Sequence, residues 1–316
     1  MHFLQGEPKE IVFRHQALLY ATDHEFVAAA TSFIRDAVLA GEPILVMVGA
    51  AKIDMLRSAL SSDACPVLFA DIAQVGRNPA RILSVWRDFV AAHAGQSWRL
   101  RGISEPIWPG RRPAEVMECQ RHEALLNVAF ANAPTFWLLC LYDSGGLDPA
   151  VIGQAYRTHP FVGHSGQWER ARSHGNGTAA ALGEDPLPEP PCQPLELVFH
   201  SGALGALRRL VSQQAVGAGL GAARAADLVL AVHEVAANSL RHGGGWGILR
   251  VWLEDDVMIC EVRDTGQIGH PLAGWERPAT GQDSGRGLWI VNQVCDLVQL
   301  RSSSTGTVVR LHMALG

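Results

Sequence analysis

The first half of the chain alternates between continuous apolar runs and stretches in which apolar residues recur at helical spacing. Uninterrupted apolar runs such as Ile44–Val48 and Thr135–Tyr142 are typical of strands that are buried on both faces of a sheet. The predicted elements are, in order, helix Asp23–Ala40, strand Ile44–Val48, helix Lys52–Leu60, strand Val67–Phe69, helix Ala80–His93, strand Trp98–Ile103, helix Glu115–Ala131 and strand Thr135–Tyr142. Alternation of this kind predicts a mainly parallel sheet with helices on both faces.

The hydrophobic pattern stops over residues 163–194, where glycine and proline are frequent. Such a segment is typical of a linker between two domains. The predicted elements after it are strand Leu195–Phe199, helix Leu204–Ala215, helix Arg224–Arg241, strand Gly247–Leu253, strand Val257–Arg263, a helix that opens at Gly285–Val291, strand Asp296–Arg301 and strand Thr307–Met313. The pattern therefore predicts two α/β domains, residues 1–162 and 195–316, which are joined by a linker over residues 163–194.

Composition and charge restrict the partners and the compartment. The formal net charge of −5 gives no electrostatic reason to expect nucleic-acid binding. No apolar run reaches the length of a membrane span, and residues 1–16 lack the apolar core of a signal peptide. The six cysteines show no CxxC pair and are typical of reduced core residues. We expect a cytoplasmic protein that binds neither nucleic acid nor a membrane directly.

The predicted helix over residues 224–241 has two distinct faces. One stripe is suited to packing against a sheet and contains Leu228, Val232, Val235 and Ser239. Another stripe is polar and contains Asp227, Glu234, Asn238 and Arg241. Glu234 and Asn238 lie one turn apart, so a carboxylate that can accept a proton and a carboxamide oxygen that can bind Mg²⁺ reach the same ligand. If this helix is considered alone, the alternative to a ligand site is a polar face that only contacts solvent.

The order of short motifs after this point is more specific than any one of them. Glu234-x-x-x-Asn238 is followed by Asp264-Thr-Gly266 after a hairpin, an irregular segment over residues 267–284, Gly285-Arg-Gly-Leu288 at a helix start, and Gly306-Thr307 on the last strand. From Leu195 to the C-terminus the sequence resembles the GHKL (Bergerat) ATPase fold, an α/β sandwich. In particular, it is similar to the short anti-sigma factor serine/threonine kinases.

This resemblance implies ATP and Mg²⁺ as cofactors. It implies that Glu234 activates the attacking hydroxyl or water, that Asn238 holds Mg²⁺ against the phosphates, and that Asp264 accepts a hydrogen bond from the adenine amino group. The other nucleotide contacts that it implies are Gly266, Gly285, Arg286, Gly287, Leu288 and Thr307. Related proteins often carry Asp-x-Gly-x-Gly, but Ile268 occupies the second glycine position here. That departure leaves the flexibility of the lid, and therefore the turnover rate, open.

Candidate sites in the first half are weaker. Gly49 and Lys52 follow the strand Ile44–Val48, where a nucleotide-binding protein carries its phosphate loop. The turn lacks the Gly-Lys-Ser/Thr ending and the further glycines that would wrap phosphate with backbone amides, so we do not expect nucleotide binding there. Asp143 ends an apolar strand and is interpreted as a turn residue rather than as a magnesium ligand.

Two further groups of residues in the first half could form a binding site or could serve only the packing of the domain. Glu115, Cys119 and His122 share one helix face that could bind a soft metal, but their spacing matches no metal motif, and a polar face over packed leucines is favoured. A small-molecule pocket or a packed core with a polar rim accounts equally well for a group of aromatic and charged residues: Trp98, Trp108, Trp137, Arg101 and Glu105.

Five stretches carry a second resemblance, to the MEDS sensory domain. They are Arg14-His-Gln-Ala-Leu-Leu-Tyr20, Gly76-Arg-Asn-Pro-Ala-Arg81, Gly102-Ile-Ser-Glu-Pro-Ile-Trp108, Glu118-Cys-Gln-Arg-His-Glu-Ala-Leu-Leu-Asn127 and Tyr156-Arg-Thr-His-Pro160. The resemblance covers about the first half of the chain. It implies a RecA-like or KaiC-like sheet without ATPase function and a small-molecule ligand that it does not identify.

Together, the resemblances imply an anti-sigma regulatory factor under the control of a sensory domain. The first hypothesis is a protein serine/threonine kinase that phosphorylates a STAS-type anti-anti-sigma partner and also sequesters a sigma factor, with a homodimer as the candidate assembly. The second is a non-catalytic binding module that is gated by nucleotide. The third, a histidine kinase, needs an acceptor histidine on a helical hairpin before the ATPase domain, where the proline-rich linker lies. His233 lies on the magnesium helix and does not fill that role.

Overall fold

The computed structural model describes residues 13–95, 99–132, 135–164, 166–175, 185–278 and 285–315. The chain divides into two compact units, Met1–Ala179 and Ala180–Gly316. Among the described residues, no helix is both long and apolar enough to span a bilayer. The two units are described separately.

The first unit is built on a mainly parallel sheet. Its strands are β1 Phe13–Tyr20, β2 Ile44–Val48, β3 Leu68–Asp71, β4 Leu100–Ser104, β5 Phe136–Asp143, β6 Phe161–His164 and β7 Gln167–Arg170. Its helices are α1 Asp23–Leu39, α2 Ala50–Leu60, α3 Ile72–Val75, α4 Pro79–Ala92, α5 Pro113–Ala129 and α6 Pro149–Thr158, with a 3₁₀ turn at Ser61–Ala64. The strand order is β3-β2-β4-β5-β1-β6-β7, and β7 is antiparallel to β6.

Alternate residues of β5 show that helices cover both faces of this sheet. Trp137 and Leu139 belong to the core that α1 and α2 share with the strands. On the opposite face, the ring of Phe136 lies 5.5 Å from that of Trp86 on α4. Because successive side chains of a strand point to opposite faces, both faces of β5 are covered and buried, as its apolar run predicted. The predicted α/β class is confirmed.

The first unit differs from the sequence prediction in several places, among them the short helix α3 and helix α6, which were not predicted. Strand β1 was not predicted, because His15 and Gln16 interrupt its apolar run; both are nevertheless buried, with internal hydrogen-bond partners. The hairpin β6–β7 lies where the hydrophobic pattern was interpreted as linker from residue 163 onward. Its strands are only four residues long, too short to give a period, and the ring of Trp168 packs over Gly163.

The second unit is built on an antiparallel sheet. Its strands are β8 Leu195–His200, β9 Trp246–Glu254, β10 Val257–Asp264, β11 Leu297–Ser303 and β12 Gly306–Ala314, in the order β11-β12-β10-β9-β8. Its helices are α7 Leu204–Gly217, α8 Ala222–His242 and α9 Arg286–Val294. These helices share one hydrophobic core with one face of the sheet. This layered arrangement is the α/β sandwich that the sequence predicted.

Helix α8 lies at the centre of that core. Its predicted packing stripe, Leu228, Val232, Val235 and Ser239, is buried throughout, with no member more than 2% exposed. Two residues of the predicted linker also contact this unit: Arg310 Nη2 donates to Pro188 O at 2.8 Å, and Arg263 Nη2 donates to Glu189 Oε1 at 3.1 Å.

Gly102 provides a stability test of the first unit. A Cβ atom at this position would lie 2.7 Å from the ring of Trp86 and 2.9 Å from Leu138 Cδ1. We expect Gly102→Ala to destabilise the protein by about 1–3 kcal/mol through overpacking. Calorimetric unfolding of the full chain would measure this as a lower transition temperature.

The control is Gly153→Ala on helix α6, where nothing lies within 4 Å of the added methyl group. Alanine at that site is expected to leave stability unchanged or to raise it by up to about 1 kcal/mol. Equal losses for both variants would contradict the packing described for Gly102.

Candidate functional site

A cavity of about 770 Å³ opens in the second unit, between α8, the turn after β10, the start of α9 and β12. Its volume lies within the range of about 300–1,000 Å³ that is typical of small-molecule sites. All nine residues that the sequence analysis singled out as nucleotide or catalytic contacts line it: Glu234, Asn238, Asp264, Gly266, Gly285, Arg286, Gly287, Leu288 and Thr307. The fold therefore brings together residues from four separate elements.

Helix α8 presents Glu234 and Asn238 to the cavity because its opposite stripe is buried against the sheet. Both side chains are partly buried. Asn238 Oδ1 accepts a hydrogen bond from Arg241 Nη2 at 3.0 Å. A carboxamide oxygen has two lone pairs, so this bond leaves one of them available to a cation.

The carboxylate of Asp264 is held in one orientation from two sides. Ser239 Oγ donates to Asp264 Oδ2 at 2.5 Å, and the amide of Gly266 donates to Asp264 Oδ1 at 2.8 Å. Each oxygen keeps acceptor capacity toward the cavity. The sequence analysis assigned Ser239 to the packing stripe only; the available signal was a hydroxyl in an otherwise apolar stripe, one helical turn before the chain leaves α8.

The end of α8 approaches the Asp264–Gly266 turn too closely for side chains. A Cβ atom at residue 266 would lie 2.6 Å from His242 O and 2.8 Å from the Cα of Gly243. One at residue 243 would collide with the carboxylate of Asp264. Thr307 Oγ1 fixes the same turn from β12 by donating to Gly266 O at 2.8 Å. The glycine of the Asp-Thr-Gly motif is therefore required by the contact with α8.

The opposite part of the cavity is formed by the N-terminus of α9. Gly285 caps this helix with φ of +85°, a left-handed conformation that favours glycine. Gly287 lies directly against the catalytic candidate, since a Cβ atom there would be 2.7 Å from Glu234 Oε2. A helix N-terminus offers unpaired amides and the positive end of the helix dipole, which together suit phosphate. The exposed Arg286 lies at this entrance.

Ile268, which departs from the Asp-x-Gly-x-Gly pattern, forms part of the cavity wall. Its amide donates to Ser302 Oγ at 2.8 Å, and its side chain packs against the hydrophobic core. Of the predicted lid, residues 279–284 lie outside the described residues. Leu272 and Trp275, in its described part, are buried. His242, which the sequence analysis treated only as a helix-end residue, also lines the cavity.

The weaker candidates of the first unit have structural roles. The ammonium group of Lys52 lies 2.5 Å from Glu105 Oε1 and also contacts the hydroxyl of Tyr20. This arrangement differs from that of a phosphate-loop lysine. Asp143 Oδ1 accepts hydrogen bonds from the amides of Gly145 and Gly146, both at 3.0 Å, as expected of a turn residue.

The helix face with Cys119 and His122 is not the polar face that the sequence analysis favoured. Both side chains are completely buried, in a part of α5, residues 118–126, where every side chain except Gln120 is buried. Glu115 instead accepts a hydrogen bond from the amide of Arg112 at the start of the helix. Trp137 packs edge-on against Phe33 in the core, which favours the packing alternative for it, while Trp98 lies outside the described residues.

Comparison with protein families places one match in each unit. Residues 14–160 match the family described as MEthanogen/methylotroph, DcmR Sensory domain (MEDS). Residues 200–313 match the histidine kinase-like ATPase domain. No curated protein sequence matches the chain. The second match spans α8, the Asp264–Gly266 turn, the start of α9 and β12, and so contains the whole cavity wall.

Asp264 provides a test of nucleotide binding. Asp264→Asn removes the charged carboxylate that would accept a hydrogen bond from the adenine amino group. It also replaces one of the two carboxylate oxygens, both of which accept hydrogen bonds, with an NH₂ group. Loss of such a bond is expected to cost about 1.5–3 kcal/mol, which lowers ATP affinity tenfold or more. Isothermal titration calorimetry of the full chain would measure the change.

The matched control is Asp255→Asn, in the turn at the other end of β10. Asp255 has φ of +52°, a conformation that asparagine tolerates equally well. It should bind ATP with the parental affinity. Parental affinity in Asp264→Asn as well would remove Asp264 from the nucleotide site.

Proposed function

We propose that this chain, which joins a MEDS domain to a histidine kinase-like ATPase domain, is a regulated ATP-dependent serine/threonine kinase of a STAS-type anti-anti-sigma protein. The observation that carries the proposal is the cavity on which a fixed carboxylate, a second carboxylate, a carboxamide and a helix N-terminus converge. Each of these groups suits a different part of one nucleotide. The coarser conclusion, an ATP-binding kinase-like protein with a sensory domain, follows from the two family matches.

The adenine end of the site is the Asp264–Gly266 turn. Asp264 accepts the adenine amino proton, which selects adenine over guanine, because guanine has a carbonyl oxygen at the equivalent position. The hydrogen bonds from Ser239 and the Gly266 amide prevent the carboxylate from turning away. The glycine contacts let the ring lie against the backbone.

The phosphate end lies where Glu234 and Asn238 face the start of α9. Glu234 precedes Ser239 by five residues, which is about 7.5 Å along the helix axis, a rise that a bound nucleotide can span. Asn238 would supply one oxygen ligand for Mg²⁺, an ion that protein sites usually bind through few side chains together with substrate phosphates. The ion would neutralise charge on the phosphates. Amides at Gly287 and Leu288 meet the phosphate oxygens.

Glu234 is the general base in this scheme. The acceptor hydroxyl oxygen attacks the γ-phosphorus, its proton passes to the Glu234 carboxylate, and the bond to the β–γ bridging oxygen breaks to release ADP. Gly287 keeps the space beside Glu234 clear, since any side chain there would meet the carboxylate. The proposed acceptor is a hydroxyl group of the partner protein, and the described residues 185–194 before β8 are not helical.

The remaining parts of the proposal concern control and location. A small molecule that binds the MEDS domain regulates the kinase, a sigma factor is a second partner of the ATPase domain, and the protein acts in the cytoplasm as a homodimer. A nucleotide-gated binding module is the competing function. The hydrogen bond from Arg241 to Asn238 Oδ1 favours it, because that bond uses one of the two lone pairs with which Asn238 could bind Mg²⁺.

Substitution of Glu234 separates these two functions. Glu234→Gln keeps the volume and hydrogen-bonding capacity of the side chain and removes the charge that takes the proton. Transfer of labelled phosphate from ATP to STAS proteins of the same genome should fall by about 10²–10⁴, while ATP affinity stays within a few-fold. Asn238→Ala should weaken Mg²⁺-dependent ATP binding and transfer together.

The control is Asp227→Asn, on the same polar stripe of α8 but outside the cavity wall, which should behave as the parent in both assays. Parental transfer by Glu234→Gln, or no transfer by the parent to any STAS protein, would overturn the kinase assignment. The binding module would then be tested by comparing partner affinity in ATP and in ADP.

Gly287 gives an independent test of the same geometry. Gly287→Ala places a methyl group 2.7 Å from Glu234 Oε2, and displacement of a reacting group by about 1 Å can lower a rate about 10²-fold. We expect a large loss of transfer rate. Gly269→Ala, which lines the same cavity with nothing within 4 Å, should retain the parental rate. Equal rates in the two variants would show that this contact does not position Glu234.

A further inference from the structure

Four buried side chains of the first unit converge on one point. They are His15 on β1, Glu123 on α5, Cys140 on β5 and His159, which follows α6. None is more than 1% exposed. One ligand atom from each lies within 4.8 Å of the others. Nothing in the proposed kinase chemistry uses them.

The spacing of the four atoms is close to that of a tetrahedral metal centre. His15 Nε2 lies 3.1 Å from Glu123 Oε2 and 3.3 Å from Cys140 Sγ. His159 Nε2 lies 3.0 Å from the same Glu123 oxygen. Zinc bonds of about 2.0–2.3 Å in tetrahedral geometry separate neighbouring ligand atoms by about 3.3–3.8 Å. Three of the six separations are thus equal to or slightly shorter than those of a zinc site, and all six lie within 4.8 Å, so the side chains would shift modestly to admit an ion.

The hydrogen bonds of Asn127 determine which nitrogen of His15 carries its proton. Asn127 Nδ2 donates to two backbone carbonyls, Glu123 O at 3.4 Å and Thr158 O at 2.9 Å. Its amide is thereby oriented so that Oδ1 faces His15 Nδ1 at 3.1 Å. An amide oxygen only accepts, so Nδ1 of His15 is the donor. In a neutral ring, Nε2 then directs a lone pair at the cluster.

His159 is oriented in the same way by the backbone. Its Nδ1 lies 2.9 Å from the carbonyl oxygen of Ala155, which can only accept. Nδ1 is therefore the donor to this carbonyl, and in a neutral ring Nε2 directs a second lone pair at the Glu123 carboxylate. Hydrogen bonds from Nδ1 to an amide or backbone oxygen are the usual outer-shell contacts of histidines that bind metals through Nε2.

Without a cation, this arrangement places two lone pairs against a buried carboxylate. Burial, with a smaller contribution from His159, lowers the pKa of His15 to about 4, while Glu123 acts in the opposite direction. Burial also raises the pKa of the Cys140 thiol well above its usual range, and direct bonding to a metal is what makes such a thiol ionise. A divalent ion would be neutralised by one thiolate and one carboxylate.

We propose that His15, Glu123, Cys140 and His159 bind a divalent transition-metal ion, and that Zn²⁺ is the ion that this donor set fits best. Two imidazole nitrogens, one thiolate and one carboxylate at tetrahedral spacing are the ligands that zinc takes in proteins. The four positions are occupied by protein ligands, so the site is closed. It holds β1, β5, α5 and the end of α6 together, and the ion enters as the unit folds.

The test uses the full chain, purified from zinc-supplemented medium and also reconstituted with Co²⁺ during refolding. Elemental analysis should find one zinc ion per chain. The cobalt form should show tetrahedral ligand-field bands and a thiolate-to-cobalt charge-transfer band. Asn127→Ala, which releases the His15 ring, should weaken zinc binding about 10–100-fold.

Cysteine variants identify the ligand. Cys140→Ser should lose the charge-transfer band and bound zinc. Cys119→Ser is the matched control, because Cys119 is equally buried in the same unit and its thiol donates instead to Pro106 O at 3.2 Å. It should keep both signals. The proposal would be overturned if the folded parent chain took up neither zinc nor cobalt, or if the charge-transfer band survived Cys140→Ser. The first of these results needs only the parent chain, so the test does not depend on the variants folding.

Discussion

The nucleotide cavity depends on the contact between the C-terminal end of α8 and the turn that follows β10. At this contact the backbones of Gly243 and Gly266 meet without side chains between them, and Gly306 on β12 adjoins Asp264 in the same way. The contact brings Ser239 within hydrogen-bond distance of Asp264 and so fixes the carboxylate. Gly287, at the start of α9, also lies against α8, through its contact with Glu234.

The sequence predicted most of the second unit, because the information for it is local. The two stripes of α8 follow from helical periodicity, and the glycines of Asp264-Thr-Gly266 and Gly285-Arg-Gly follow from backbone requirements of a turn and a helix start. Their order along the chain indicated a single site, and the fold brings them onto one cavity. What periodicity did not reveal was the role of Ser239, which depends on a partner on another element.

The same limit explains what was missed in the first unit. In the first unit, spacing along one helix indicated Glu115, Cys119 and His122 as candidate metal ligands. The group that the fold assembles takes His15, Glu123, Cys140 and His159 from four elements, and no spacing within one element predicts it. Three of the stretches that resemble the MEDS family nevertheless contain His15, Glu123 and His159. The resemblance therefore pointed to residues whose shared surroundings only the tertiary structure displays.

Strand β1 also has a consequence for how the protein is made. It is the first described strand in the sequence but an interior strand of the sheet, where it pairs with β5 and β6, and Phe13 aligns with Phe136. During synthesis β1 therefore leaves the ribosome well before either neighbour exists, and loop closure over this distance must precede pairing. Until then its apolar residues and both of its backbone edges lack their native cover. Nascent chains of this protein are thus expected to need protection from aggregation until β5 and β6 have been synthesised.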